Sequence, residues 1–585
     1  MPPKAARSGC TAGSMVDVTE DIHYCDSGCR GGFVGKSVSS HDLERLHPHM
    51  IFSSMLSSRT DARRQSSSVV KGAVQECQIL PDKQLRGGSL SSTDLEDLHP
   101  HLMYGALLSS LRALKSSLSV IGPALLPWHV AIVVALLFSV LRVFVPLVTI
   151  AWTFGSVFIV GECVFCVWLR TVRRQLQDVR SQSDRLHAPE GPRVVFERTV
   201  DCMRICASWG GQKGIGRTPE EWLEGWFLGA PFARILRGNV LEFVAWAFFT
   251  KQVHELEEAD HQEATKMVQE FEHTFGWEFE EGFDIVVKPI RINFDQVKVW
   301  CHPLCYYAGI GMLRLGSRKT LGLLGFTYHR HAASQISYFH YLPPRPEPGQ
   351  LIVDDEVVLR KPLPPIVFFH GLGVGLAPYI RFIRRLMGCS REVFVIELPE
   401  VSQAGARTVL APSVMADGVA AMLCRHGHVG GACFVAHSYG TFVTSWVVRS
   451  RPDIVSRLVL LDPVCFLLSQ PDVAFNFLYR RPTNPFTLAV ANFVRWELFS
   501  ANVLMRHFYW YHNVLWRNEL PKQCVVALSG NDDIINARAV RQYLGEGSRH
   551  GRNCPGQLKL LWFESFFHGE VLLSKPAQLQ LMELM

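Results

Sequence analysis

The sequence predicts an α/β fold with a mainly parallel sheet, joined to a membrane helical hairpin. Three observations carry this. Short apolar runs of strand length recur between residues 366 and 563, with helical stretches between them, as a parallel sheet requires. One of them, 432–436, passes through His437-Ser438-Tyr439-Gly440 and resumes as Thr441-Phe442-Val443-Thr444, which can wind as a helix. A serine at such a strand-to-helix turn is forced into a sharp conformation that exposes its hydroxyl. Finally, residues 118–169 are nearly continuous in apolar side chains.

At 585 residues the chain exceeds one ordinary core, so more than one folded region is expected. An apolar fraction of 48% is high for a wholly soluble protein and agrees with a membrane segment. The net charge of +6 is small for this length and its basic residues are dispersed, which argues against a nucleic-acid partner. Sixteen cysteines follow no framework. Cys163 and Cys166 have a C-x-x-C spacing without a second pair for zinc, so reduced thiols in a reducing compartment are the simpler reading. The N-terminus carries no apolar core of the kind a cleavable signal peptide has.

Residues 1–116 are rich in Ser and Gly and poor in aromatics, the composition of a disordered tail. They contain a duplication: Ser37-Val38-Ser39-Ser40-His41-Asp42-Leu43-Glu44 through His47-Pro48-His49 recurs as Ser89-Leu90-Ser91-Ser92-Thr93-Asp94-Leu95-Glu96 through His99-Pro100-His101. Thr93 and Glu96 have capping-box spacing, so each copy starts a short helix that its proline stops. No carboxylate or cysteine cluster accompanies the His-Pro-His units, so a docking segment fits better than a metal site.

The region 117–170 reads as a transmembrane or re-entrant hairpin. Residues 118–141 and 143–169 are each long enough to cross ~30 Å of hydrocarbon, and Arg142 falls where a turn could bring it to the headgroups. Arg112 and Lys115 precede the run and Arg170, Arg173 and Arg174 follow it, which for a hairpin puts both ends, and the rest of the chain, on the cytosolic face of an intracellular membrane.

Residues 171–335 read as a mostly helical accessory region. Thr218-Pro219-Glu220-Glu221 is a helix start: a capping threonine, a first-turn proline and acids that suit the dipole. The glycines of 210–216 lack the Gly-Lys-Ser/Thr ending of a phosphate loop and read as a connector. The acids and histidines of 254–273 contain no H-E-x-x-H and read as a solvated helix face.

From 336 to 585 the residues assemble a serine-hydrolase pattern. Ala436-His437-Ser438-Tyr439-Gly440 resembles the nucleophile elbow of the α/β-hydrolase superfamily, with Ala436 where the usual pattern has glycine. The run 366–369 ends in His370-Gly371-Leu372-Gly373, similar to the glycine-rich loop after that superfamily's third strand. By this resemblance the N–H groups of Leu372 and Tyr439 form the oxyanion hole, and His370, Gly371 and Gly373 are loop scaffolding. The superfamily's chain order is Ser, acid, His. Gly530-Asn531-Asp532-Asp533-Ile534 resembles the acid loop and puts the acid at Asp532; Asp533 beside it, or Asp462 after the preceding strand, are the alternatives. His568, after the last strand, closes the order as base, while His437 occupies a position not expected to be one. The layout also resembles membrane-tethered serine hydrolases of fungi and other unicellular eukaryotes.

A cap is expected at 464–520, crowded with aromatics such as Phe466, Phe475, Phe477, Trp496 and Phe508-Tyr509-Trp510-Tyr511. About half of them read as helix core; the rest suggest an apolar acyl substrate entering from the bilayer. Arg480, Arg481 and Arg506 suit either headgroup phosphates or the cap's solvated rim. The expected activity is cleavage of a carboxylic ester of a lipid-like or other apolar acyl substrate through Ser438, Asp532 and His568, with no cofactor and no metal. The alternatives are an acyltransferase on the same residues, although no H-x4-D motif is present, or a non-catalytic scaffold that keeps the fold for binding.

Overall fold

Unbroken apolar runs become the central strands of one sheet because both of its faces are covered. In the computed structural model, β1 (Thr327–Arg330) and β2 (Ser337–Tyr341) lead into it, and a two-strand ribbon, β3 (Ile352–Val353) with β4 (Glu356–Val357), stands apart. Next come β5 (Ile366–Phe369), β6 (Val393–Glu397), β7 (Ala432–His437), β8 (Val455–Leu461), β9 (Gln523–Ser529) and β10 (Gln557–Phe563). The spatial order is β1-β2-β6-β5-β7-β8-β9-β10, parallel from β6 to β10 and antiparallel at the β1/β2 edge. Every residue of β5, β6 and β7 is buried. From β5 the chain goes first to β6 on one side and then to β7 on the other. The order in which strands are added therefore reverses between β5 and β7, and a crevice opens at their carboxyl ends.

The structure describes residues 128–180, 185–210, 215–331, 335–344, 352–353, 356–357, 363–549 and 557–585, with positions 109 and 112. The duplicated segment and its His-Pro-His units lie outside the described residues. The chain divides into two units, Met1–Ala131 and Ile132–Met585. Strand β1 was not foreseen: Thr327-Tyr328-His329-Arg330 has no apolar alternation, and three of its four residues are exposed. A short, charged strand of this kind suits a sheet edge.

In place of the expected hairpin there is one continuous helix, α1 (Trp128–Gln177), of 50 residues. Arg142 does not mark a turn, because arginine is a good helix former and no turn residue stands beside it. Pro146 is accommodated within the helix. At 1.5 Å per residue α1 is about 75 Å long, more than twice a hydrocarbon core. Basic residues at its two ends would fall on opposite faces of a membrane crossed once, so the flank argument for both ends being cytosolic no longer holds. From Val130 to Trp168 its apolar side chains are largely exposed; beyond that, Leu169, Val172 and Leu176 are buried against the body of the protein. Glu162 accepts the backbone N–H groups of Leu304 (2.8 Å) and Cys305 (3.2 Å), so α1 caps the start of α2 (Leu304–Leu323) and favours its positive end.

The accessory helices share a hydrophobic core with the sheet. Trp222, Trp226, Phe243, Trp246 and Phe271 cluster at ring spacings of 5.6–6.4 Å, in continuity with buried residues of β6, β7 and β8. Thr218 and Glu221 form the capping box of the helix Pro219–Trp226. Glu258, Asp260, Glu263, Glu270 and Glu272 fall on the helix Glu258–Phe275, whose buried face is Ala264, Met267, Val268 and Phe271, whereas Glu255 precedes it and pairs with the buried Arg185 at 2.5 Å.

The cap segment divides its aromatics. Phe475, Phe486 and Phe493 are exposed, whereas Tyr509, Trp510 and Tyr511 anchor it to the accessory region: Trp510 Nε1 donates to the Ala247 carbonyl (2.8 Å) and Tyr511 Oη to that of Leu186 (2.6 Å). Arg506 is not on the rim. It is buried and donates to the carbonyls of Leu176 (3.0 Å), Asn293 (3.1 Å) and Asp295 (3.0 Å), tying cap, α1 and accessory region together. Arg506→Met leaves these carbonyls without donors and is expected to destabilise the fold by about 2–4 kcal/mol. Thermal unfolding of the detergent-solubilised protein would show it as a lowered midpoint, and an unchanged midpoint would refute the role given to Arg506.

Candidate active site

The turn after β7 begins with Ser438 in the left-handed region, at φ 51°. A non-glycine residue holds that conformation only when its surroundings over-determine it. Ser438 N–H donates to the Leu461 carbonyl (3.1 Å), and its own carbonyl accepts from Thr441 N–H (2.8 Å) and Thr441 Oγ1 (2.6 Å). Gly440 then lets the helix α3 (Gly440–Ser450) press against β5. A Cβ there would lie 2.5 Å from the Phe369 carbonyl oxygen, so no other residue fits.

The loop after β5 is tied to this turn from the other side. A Cβ on Gly371 would meet Tyr379 Oη at 2.8 Å and Ser438 Cβ at 3.0 Å. Gly371 N–H donates to Tyr379 Oη (2.9 Å), which is itself 2.9 Å from His437 Nδ1. His370 is fully buried, and burial pushes its pKa down to about 4. The neutral ring accepts from Leu398 N–H at Nε2 (3.1 Å) and donates from Nδ1 to the Gly371 carbonyl (2.8 Å). Because C=O and N–H of a trans peptide point opposite ways, this bond also sets where Leu372 N–H points. Gly373 has φ 146° and donates to the Val401 carbonyl (2.9 Å). Leu372 and Tyr439 stand beside Ser438 on the wall of one cavity. Nothing in the sequence marked Tyr379, whose hydroxyl joins the glycine loop to the elbow.

His568, on the loop after β10, reaches both partners. Its Nε2 lies 2.8 Å from Ser438 Oγ and its Nδ1 2.6 Å from Asp532 Oδ2. The Asp532 side chain is wholly out of solvent, and its Oδ1 accepts from the N–H groups of Ile534 (2.8 Å) and Ile535 (3.0 Å). Asp533 faces outward, half exposed, 3.7 Å from Arg480. His437 is not in this line: its Nδ1 is engaged by Tyr379, and burial holds its pKa well below the ordinary value.

Asp462 is close but differently employed. Its carboxylate accepts from Ser529 N–H (3.0 Å) and from Gly569 N–H (2.7 Å), so it positions the residue that follows His568. Burial pushes its own pKa up to about 6. At His568 burial opposes the charge, but Asp532, Asp462 and Asp533 outweigh it and raise the pKa to about 9. By donor type Asp462, Asp532 and His568 could hold a cation, yet both nitrogens of His568 are already committed to Asp532 and Ser438.

The cavity at Ser438 is small, about 50 Å³, and lined by Ile292, Phe442, Val464, Phe477, Leu504, Phe508 and other apolar residues. Phe477 and Phe508 come from the cap and Ile292 from the accessory region. A larger cavity of about 680 Å³ shares Val473 with it and opens between the helix Pro219–Trp226, the start of the cap and the helix Ala537–Arg549.

Residues 364–544 match the family described as alpha/beta hydrolase fold. No curated protein matches the sequence. Among solved structures, a membrane phospholipase A described as a novel bacterial virulence factor is 13% identical, covering 48% of this chain and 93% of its own, with a TM-score of 0.32. A probable hydrolytic enzyme of Pseudomonas aeruginosa PAO1 is 16% identical over 44% of this chain and 93% of its own, with a TM-score of 0.30. An epoxide hydrolase of Vigna radiata is 12% identical over 44% and 97%, also at 0.30. The chain has an α/β-hydrolase fold, with β5 to β9 inside the matched region.

Asp462→Asn removes one of the charges that favour the His568 imidazolium, so the pKa of His568 is expected to fall from about 9 toward the ordinary histidine value. Histidine-selective NMR titration would read the change; a value unchanged or raised would contradict the electrostatic coupling.

Proposed function

We propose that the chain is a membrane-associated serine hydrolase that cleaves a carboxylic ester of a lipid-like or other apolar acyl substrate. The observation that carries this reading is His568 bridging Ser438 Oγ and the buried Asp532 carboxylate at 2.8 and 2.6 Å. In this mechanism Ser438 Oγ attacks the acyl carbonyl carbon while its proton passes to His568 Nε2. Asp532 holds the ring through Nδ1 and stabilises the imidazolium. The negative charge on the former carbonyl oxygen is met by the N–H groups of Leu372 and Tyr439. His568 returns the proton to the leaving alcohol, and water, deprotonated by His568, then releases the acid from Ser438.

Two features support an apolar substrate at a membrane. The wall around Ser438 is almost wholly hydrocarbon, supplied by cap, sheet loops and accessory region. The exposed stretch of α1 presents apolar side chains over more than the length needed to cross a bilayer. About 50 Å³ is far below the ~300–1,000 Å³ of ordinary ligand pockets, so the cap side chains Phe477 and Phe508 must part to admit an acyl group.

A serine-directed fluorophosphonate is expected to label the wild type in membranes and to fail with Ser438→Ala. His568→Ala should slow labelling by on the order of a thousandfold or more. Asp532→Asn should slow it strongly as well, whereas Asp533→Asn should leave it near wild type. The neutral form of His568 must take the proton, and its pKa is about 9, so labelling should accelerate as pH rises through that value. A folded wild type that does not label, even in detergent, would favour the scaffold alternative.

A further inference from the structure

At the far end of the sheet from Ser438, four imidazoles and a carboxylate converge. His329 lies on β1 and His340 on β2, and Glu392 immediately precedes β6. His426 and His428 follow the helix Pro412–Arg425. The antiparallel register pairs His340 with Phe394 on one side and with Thr327 on the other, so His329, two residues beyond Thr327, shares its face. His340 Nε2 and His428 Nε2 lie 2.6 Å from the two oxygens of Glu392. The ring of His426 is 4.3 Å from that of His340 and 5.7 Å from that of His329. One donor atom each from His340, Glu392 and His426 falls within 4.8 Å of the others, and all three residues are half-buried, which leaves an ion a path inward.

We infer that this cluster is a site for Zn²⁺, ligated by His340, His426 and Glu392, with His428 held on the other oxygen of that carboxylate. The donor set points to the ion: imidazole nitrogens with one carboxylate prefer Zn²⁺ over Mg²⁺ or Ca²⁺, which take oxygen ligands. For bonds of ~2.0–2.1 Å, tetrahedral ligand atoms sit about 3.3 Å apart, so the three donor atoms, now within 4.8 Å of one another, would draw together on the ion. The ion would take the place of the hydrogen bond that now joins Glu392 to His340. Tyr338 Oη, 3.1 Å from His426 Nε2, orients that ring in the way outer-shell groups orient metal ligands. The site would fasten the exposed β1/β2 edge to β6 and to the end of a helix, a staple at the margin where the sheet has least packing.

The test uses the full chain in detergent, stripped with a chelator and then equilibrated with Zn²⁺, Co²⁺ or Mg²⁺ before gel filtration. One Zn²⁺ per chain, the visible absorption of tetrahedral Co²⁺, and a thermal midpoint raised by Zn²⁺ but not by Mg²⁺ are expected. Metal content should fall to near zero in His340→Ala/His426→Ala, and should be unchanged in His261→Ala, which alters an exposed histidine elsewhere. His426→Gln, a milder change, should weaken binding if the double variant does not fold. A wild type that retains no Zn²⁺, or a folded double variant that retains as much as wild type, overturns the assignment.

Discussion

Ser438 sits in a left-handed turn because the chain must leave β7 and enter α3 within two residues while α3 lies directly against β5. That close approach depends on Gly440, whose missing side chain gives the Phe369 carbonyl its room. A left-handed non-glycine residue costs of order 1–3 kcal/mol, so the turn survives only because both of its neighbours hold it. Thr441 and the end of β8 hold it from one side, and the glycine loop with Tyr379 and His370 holds it from the other. Every polar group of the site is placed relative to that turn.

The electrostatics follow from the same crowding. Asp532 and Asp462 both approach His568, but from different directions and with different partners. Asp532 shares its Oδ2 with the imidazole, while Asp462 spends both oxygens on backbone N–H groups, one of them on Gly569. Asp462 thus acts on the ring through charge and through the placement of its loop. Two carboxylates in one buried space raise the affinity of the imidazole for a proton more than a single one would, which is why its pKa lies well above the ordinary value.

The cap and the accessory region meet the sheet through a shared core. Phe508 turns toward Ser438, while the next three aromatics turn away, into the accessory helices. Arg506, which in sequence looks like a surface cation, serves as an internal strut because five backbone carbonyls converge on it. Among the described residues, α1 joins this assembly through Glu162, Phe165, Trp168 and its last turns, and its apolar side chains before them are largely exposed. An uncovered surface of that length is stable in lipid and unfavourable in water.

Much was legible from the sequence because the relevant forces are local. Apolar runs near 366–369, 393–397 and 432–436 mark buried strands, since only a strand covered on both faces tolerates them, and small residues around Ser438 mark a close helix-strand contact. The order Ser438, Asp532, His568 was readable from turns that follow strands. Adjacent Asp532 and Asp533 could not be separated, because which carboxylate faces inward depends on the rotation of the turn against β10. β1 was hidden by its polar composition, and the single helix α1 by an arginine that a helix accepts as readily as a turn does. The histidine cluster joins positions nearly a hundred residues apart, and no spacing rule links them. The sequence by itself determined the buried parallel strands, the elbow and the residue types gathered beside it. Only the tertiary structure decided which carboxylate meets His568, that α1 runs unbroken and that Arg506 lies inside, because those outcomes depend on packing between segments distant along the chain.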